Sequence, residues 1–548
     1  MNFTVTSQGR QFDRLALMYL GDTEVWRTST AEPTPDPGIR WVYLKDMTQY
    51  LYFWKTPQKV IFDLGNLVDD TYTGSFNTTL TATFFTSDVE TEAAPPSDLI
   101  IPISKRRGAD DAVSQFTLPL ENATNTLASF PRNARRAVFS VSANGQADEE
   151  FWWSNVLQSD AFAFNESGGE WPGYSPFREV QVLIDGTIAG VQWPFPVIFT
   201  GGVVPGLHRP VAGIDAFDLR EHEIDITAFL PLLCDGEEHT FTIRIAGLDD
   251  DGKSSVVVTE TVNDSWYVTG KIFVWLDDDE DSITTGDAPT IEASPLAITL
   301  SSKLGQTSNG TNETLTYTTQ VKRSFTTSGR VVTQRSSHDV SWTQTLSYLN
   351  KGYIWDFGAN QVTDLLLEGS DQTSGPASYR ADYRYPIFAN TTSSVSEQGN
   401  LTLEASLTQG LRLRVWGSAV FPTGLEAFGR RGGDGGSLLD SSKKGTAYFY
   451  QYGDGSSSTG FGNSSQVFTF GTTGAGDSDD GGGEELFFRD VATANATILH
   501  DHVRVAGRRA EGGHGGSAGP GAMLFAGAPA GGGTGPRVFM GRGGADMV

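Results

Sequence analysis

The sequence predicts an all-β protein: two β-sandwiches in tandem, followed by a third β-rich region. Three observations lead there. Charged residues make up only 19% of the chain while Ser, Thr and Gly dominate the polar remainder, a balance that suits sheets better than helical bundles. Apolar and polar residues alternate in several segments, and segments with a helical period are few. At 548 residues the chain is long enough for two to four domains with an ample core.

Taken in order, Phe76, Leu80, Ala82 and Phe84 fall on one side of a predicted strand, and Asn77, Thr79, Thr81 and Thr83 on the other. One face should be core and the other wet. Residues 1–85 are therefore read as a first sandwich, the polar, Pro-containing 86–111 as a linker, and 112–280 as a second sandwich. Within the latter, Val180, Val182 and Ile184 alternate up to Asp185-Gly186 and Ile188 resumes beyond it, a two-residue hairpin signal. Residues 240–245 and 266–275 read as strands too. The run Asp277-Asp278-Asp279-Glu280-Asp281 closes the sandwich; lacking the alternate spacing and glycine of a calcium loop, it reads as a solvated turn. Residues 295–505 form the third region, with Ser/Thr-heavy strands such as 315–324 and 401–420 and Gly/Asp/Ser tracts near 431–443 and 453–483. The Gly/Ala/Arg-rich stretch 506–548 has no hydrophobic period and is predicted to be disordered.

A formal charge of −27 argues against a nucleic-acid partner, because phosphate is bound chiefly by Lys and Arg. No apolar run is long enough for a bilayer span, so membrane insertion is not expected. Cys234, the single cysteine, excludes an internal disulfide. Of 18 asparagines, 11 lie in the N-x-S/T acceptor pattern, where chance would give about four; that excess points to the secretory pathway and an extracellular location. A leader would then be expected, yet Asn2-Phe3-Thr4-Val5-Thr6 already alternates as a strand. The expectation is that the beginning of the gene product is missing.

The chain contains no H-E-x-x-H, no phosphate loop and no cysteine cluster. Gly515-Gly516-Ser517-Ala518-Gly519 matches a serine-hydrolase elbow but lies in the low-complexity tail, without the strand and helix that such an elbow requires. What remains are polar and aromatic clusters at strand ends: Gln11-Phe12-Asp13-Arg14, Thr28 to Pro33, Asp148-Glu149-Glu150-Phe151-Trp152-Trp153, Gln192-Trp193-Pro194 and His208-Arg209-Pro210. Carboxylates beside tryptophans suit a sugar site, since pyranose faces pack on indole and acidic oxygens accept from hydroxyls. Asp13 beside Arg14 reads equally well as an ion pair fixing a strand end. Trp152 and Trp153 should point to opposite faces, one of them core, and Glu149 and Glu150 should diverge likewise.

In ordered blocks, Gly9 to Arg14, Thr28 to Pro33, Leu64-Gly65-Asn66-Leu67, Tyr72-Thr73-Gly74, Glu150-Phe151-Trp152 and Trp193-Pro194-Phe195 to Phe199-Thr200-Gly201-Gly202, the chain resembles the peptide N-glycanase A family. These plant and fungal amidases act on the amide between GlcNAc and asparagine. The resemblance covers residues 3–280, continues more weakly to about 500, and leaves out the tail. That family is in turn similar to a bacterial peptide N-glycanase of two adjacent jelly-roll sandwiches. The likeness implies an amidase releasing glycans from N-glycoproteins or glycopeptides with no cofactor and no metal. It places the principal catalytic carboxylate at Asp13, in the aromatic-Asp-Arg triplet, and a second at Glu150, with Glu149 the fallback and Arg209 assisting. Arg14, Glu32 and Trp152 are then expected to contact substrate. The family has sequence ahead of the Phe3 strand that this chain does not share. A glycoside hydrolase using the same carboxylates, or a non-catalytic carbohydrate-binding surface protein, stays open as an alternative.

Overall fold

The computed structural model describes residues 1–65, 68–84, 86, 96–419, 421–422, 436–455, 457–473, 483–506, 508–509 and 523–524. Asn66, Leu67, most of 85–95, residues 431–435, 456 and 474–482 of the Gly/Asp/Ser tracts, and nearly all of the 506–548 tail, with its elbow-like motif, lie outside them; the rest of those tracts is largely strand, in Gly436–Gln451 and Ser458–Thr473. Among the described residues strand accounts for 56% and helix for 7%, so the class is all-β as composition and alternation implied.

The first sandwich packs two three-stranded sheets. One orders Ile39–Leu44, Asn2–Gln8 and Ser75–Thr81; the other orders Thr23–Ser29, Leu15–Leu20 and Val60–Leu64. Asn2–Gln8 alternates as its sequence demands, with Phe3 and Val5 turned inward and Phe3 meeting Trp26 edge-on at 5.0 Å. Leu15–Leu20 is apolar along its length and buried on both faces. Met18 and Leu20 face the sandwich core, whereas Leu15, Leu17 and Tyr19 pack with Phe199 and Leu219 of the neighbouring sandwich. The strand predicted from Phe76 to Phe84 ends at Thr81. Only Phe76 of its apolar face is buried; Leu80 is 40% and Phe84 69% exposed. The strand lies at the edge of its sheet, where its far end is mostly open to solvent, and beyond it Phe84 meets Trp54 edge-on at 5.3 Å.

In the second sandwich one sheet orders His222–Asp225, Ala134–Gly145, Trp266–Leu276 and Leu99–Ile103; the other orders Thr187–Gln192, Glu179–Ile184, His239–Asp250 and Val256–Thr259. Leu99–Ile103, inside the stretch read as linker, is thus a paired strand, its Ile100 and Ile103 buried. The Asp185-Gly186 hairpin forms as read, with φ of 48° and 77° at the two turn residues, the left-handed pair that matches strand twist. A buried polar seam joins the sandwiches. Glu24 pairs with Arg27 and accepts from Thr269, Arg27 donates to the Tyr267 carbonyl, and Lys271 donates to the Glu24 carbonyl.

Among the described residues the third region is one large antiparallel sheet of 14 strands, several of them long, as in Asn312–Val332 and Ser337–Trp355. Alternate residues of these strands are buried, because one face lies on the second sandwich. Tyr348 meets Trp152 and Trp193, Phe195 meets Tyr385, and Arg323 pairs with Glu179 at 2.5 Å. The acidic run lies at this junction. Asp277 accepts from the Gln334 amide, and Asp278 pairs with Arg335.

Candidate active site

Strand register brings Asp13 and Glu32 to one place. Leu15 pairs with Ser29, and the ladder runs one step further: the Arg14 amide donates to Thr30 Oγ1 and the Thr30 amide to the Arg14 carbonyl, both at 2.8 Å. The chain therefore leaves both strands at the same end, with Asp13 on one side and Glu32 on the other. From the second sandwich the loop after Trp193 closes over them. Thr200 is hydrogen-bonded through its hydroxyl to the Thr30 carbonyl and through its amide to Ser29 Oγ at 3.4 Å.

Gly201, next in that loop, stands between the two carboxylates. A Cβ there would meet Asp13 Oδ1 at 2.5 Å and Glu32 Oε1 closer still, so both oxygens surround one point and lie within about 5 Å of each other, near enough for like charges to couple. Arg209 donates from Nη2 to Glu32 Oε2 at 2.5 Å. The Asp13 side chain is only 2% exposed, and neither of its oxygens accepts a well-aligned protein hydrogen bond, although the Gly201 amide close by pulls on it.

Burial pushes Asp13 well above the ordinary carboxylate range, against the pull of the Gly201 amide, Arg14 and Arg209. Burial raises Glu32 as well; Arg209 opposes the rise and the Asp13 charge adds to it. Two raised, interacting acids titrate as a unit, so one can hold a proton while the other is ionised.

The remaining expected site residues fall into two groups. Arg14 turns its guanidinium to Gln11 Oε1, at 3.2 and 2.8 Å, and lies over the Tyr72 ring; it bolsters Asp13 through charge rather than contact. Glu150 is buried at the end of the turn Ala147–Glu149, and the next residue, Phe151, reaches the Gly201-Gly202 loop, 3.1 Å from where a Cβ of Gly202 would stand. Glu149 is spent on structure. Both its oxygens take the Arg178 guanidinium at 2.6 Å, and it also accepts from Trp266 Nε1 at 2.7 Å and from Asn263. Burial alone would raise it, but these donors outweigh burial and hold it below its usual range. Trp152, expected at the glycan, is 3% exposed and packed against Trp266 and Tyr348, so its indole serves the core. It and Trp153 sit on a tight helical turn rather than a strand, and both are buried. Gly201 was invisible to sequence reasoning as a site residue. The signals available were a glycine pair, Gly201-Gly202, after a Trp-Pro-rich segment and the place of that pair in one of the blocks that carry the family resemblance.

Two buried acids and an arginine at the junction of two β-sandwiches are the equipment of a carboxylate-dependent hydrolase. Comparison with known proteins narrows that class. The family model for peptide N-acetyl-β-D-glucosaminyl asparaginase amidase A matches residues 1–293, more than half of the chain, and the PNGase_A C-terminal domain matches 316–387. The chain belongs to the peptide N-acetyl-β-D-glucosaminyl asparaginase amidase A family. It is similar to the peptide-N4-(N-acetyl-beta-glucosaminyl)asparagine amidase A of Prunus dulcis, with 29% identity over 529 residues, covering 92% of this chain and 83% of that protein. No solved structure matches.

Proposed function

We propose that the chain hydrolyses the amide joining GlcNAc to an asparagine side chain in glycopeptides or glycoproteins, releasing the glycan and leaving aspartate. The observation that carries the reading is the pair Asp13 and Glu32 converging on Gly201 beside Arg209. Asp13, ionised, takes a proton from water as its oxygen adds to the side-chain carbonyl carbon. The carbonyl oxygen becomes negative, and Arg209 supplies positive charge next to it. The C–N bond then breaks, and the nitrogen departs with the sugar as a glycosylamine. Its proton comes from Glu32, the member of the pair pushed up by both burial and its neighbour's charge. Glu150, from the second sandwich, holds the GlcNAc and the water, and Arg14 sustains the Asp13 charge.

The same reading places the protein in the secretory pathway or outside the cell. Of its acceptor asparagines, Asn2, Asn77, Asn122, Asn165, Asn309, Asn463 and Asn495 are exposed, while the Asn263 amide is occupied with Glu149 and the Gly173 carbonyl. No helix among the described residues is long and apolar enough to cross a membrane. Mass spectrometry of an N-glycopeptide incubated with the full chain tests the chemistry. Aspartate at the former glycosylation position together with an intact free glycan is expected. A sugar stub or an unchanged asparagine would mean a glycosidase, and binding without turnover would mean a lectin.

A further inference from the structure

The loop that carries Gly201 and Arg209 is clamped from the far side by three neighbouring strands of the C-terminal sheet. Gln409, on Leu401–Gly417, donates to the Pro196 carbonyl at 2.9 Å; Gln466, on Ser458–Thr473, donates to the Val211 carbonyl at 3.0 Å. Between them Lys443, on Gly436–Gln451, places Nζ 2.6 Å from His208 Nδ1 and 3.1 Å from the Ala212 carbonyl. The turn Pro205–His208 lies flat on these strands. A Cβ at Gly206 would come within 2.9 Å of the Phe461 carbonyl oxygen, and a Cβ at Gly445 within 2.9 Å of the Leu207 side chain, so only glycine allows so close an approach.

His208 turns this clamp toward the reacting groups. Its Nε2 lies 3.0 Å from the carbonyl oxygen of Gly202, a pure acceptor, and its Nδ1 faces the Lys443 ammonium, a pure donor. The ring must therefore carry its proton on Nε2 and keep Nδ1 bare. The Gly202 amide in turn donates to the Phe199 carbonyl at 2.9 Å, which closes the turn presenting Gly201 to Asp13 and Glu32. On the other side of His208 in sequence, Arg209 pairs with Glu32. One imidazole thus sits between both parts of the acid pair's surroundings.

We infer that Lys443 is a positioning residue for the acid pair: through the neutral imidazole of His208 it fixes the Gly201-Gly202 turn and Arg209, which makes the C-terminal sheet a working part of the active site. The role rests on the amidase reading. Charge surrounds the clamp on every side, with Asp215 and Arg220 from the segment ahead of His222–Asp225 and Arg209 beside His208. Burial lowers Lys443 to about 7 with Asp215 opposing, burial raises Asp215 to about 6 with Lys443 and Arg220 opposing, and burial together with Lys443 holds His208 far below its usual value. A histidine in those surroundings keeps the neutral form that the two hydrogen bonds demand.

The test compares kcat and KM of the full chain with those of Lys443→Met, His208→Gln and His208→Leu on one fluorescent N-glycopeptide. Gln can accept from Lys443 through its carbonyl oxygen and donate to Gly202 through its amide, whereas Leu can do neither. Lys443→Met and His208→Leu are expected to lower kcat roughly ten- to a hundredfold, the loss typical of a slightly misplaced reacting group, with KM changed less than about twofold, and His208→Gln to recover most of kcat. Unchanged kcat in Lys443→Met would overturn the role. Should that variant fail to fold, the histidine pair decides: equal losses in Gln and Leu overturn it, and recovery by Gln alone supports it. If the unmodified chain releases no glycan, the amidase reading itself falls and the role falls with it.

Discussion

Replacing Asp13 with Asn is expected to abolish turnover and at the same time to stabilise the fold at neutral and alkaline pH. Burial raises the Asp13 carboxyl from its ordinary 3.8 to about 6. An acid raised in the folded state binds protons more tightly there than in the unfolded chain. Stability therefore falls as pH rises through the window between those two values, and the full penalty persists above it. At ~1.36 kcal/mol per tenfold change in proton affinity, that penalty has an upper bound of roughly 3 kcal/mol. Asn removes the charge but turns an NH2 group toward the Gly201 amide, so a gain of about 1–2 kcal/mol is the realistic expectation. Urea titrations followed by tryptophan fluorescence should give a higher midpoint for Asp13→Asn at about pH 8, with the two proteins converging at about pH 4. Glycan release measured on the same preparations should be at background. A variant clearly less stable than the parent at about pH 8 would make Asp13 a structural carboxylate, and retained turnover would remove it from the reaction.

Three further substitutions distinguish site from scaffold. Gly201→Ala should cost about 1–3 kcal/mol of stability by overpacking a buried site and reduce kcat about a hundredfold, because its methyl group would press on both Asp13 and Glu32; kinetics on a soluble glycopeptide and urea titration of the same variant would check it, and unchanged kcat would remove Gly201 from the site. Glu149→Gln should destabilise the protein by roughly 3–5 kcal/mol, since the Arg178 guanidinium would stay buried without its counter-charge, while Glu150→Gln should cost activity rather than stability; parallel thermal melts and turnover assays distinguish them, and the reverse pattern would exchange the two roles.

The strand pattern was legible wherever one face was covered. Val180, Val182 and Ile184 with Asp185-Gly186 announced their hairpin, because alternation and a left-handed turn are local properties. Leu99–Ile103 was read as linker because its Pro102 and polar flanks mimic one; its pairing with Trp266–Leu276 is a tertiary fact. The same limit applied at the site. Asp13, Glu32 and Arg209 could be singled out one by one from their clusters and from the family resemblance. Their meeting depends on the Leu15–Ser29 register and on a loop arriving from the second sandwich, which no spacing in the chain encodes. Adjacent tryptophans misled for a related reason: the two-residue period belongs to strands, and Trp152 and Trp153 occupy a helical turn.

Glu149 and Asp13 show how one fold treats two buried carboxylates in opposite ways. Glu149 is fully buried and receives donors from Arg178, Trp266 and Asn263, so its charge is paid in full and its proton is lost at low pH. Asp13 is nearly as buried, yet no protein donor lines up on its oxygens, and its nearest arginine is turned away to Gln11. Had stability alone shaped the site, rotating Arg14 onto Asp13 would have been the simplest improvement. The fold instead keeps Arg14 close enough to favour the charge and too far to neutralise it, which leaves the carboxylate basic and its lone pairs available to a substrate or a water. The contrast also explains why an acid three residues ahead of a tryptophan pair, as Glu149 is, cannot be assigned by position: the decisive quantity is the number of donors each oxygen already has.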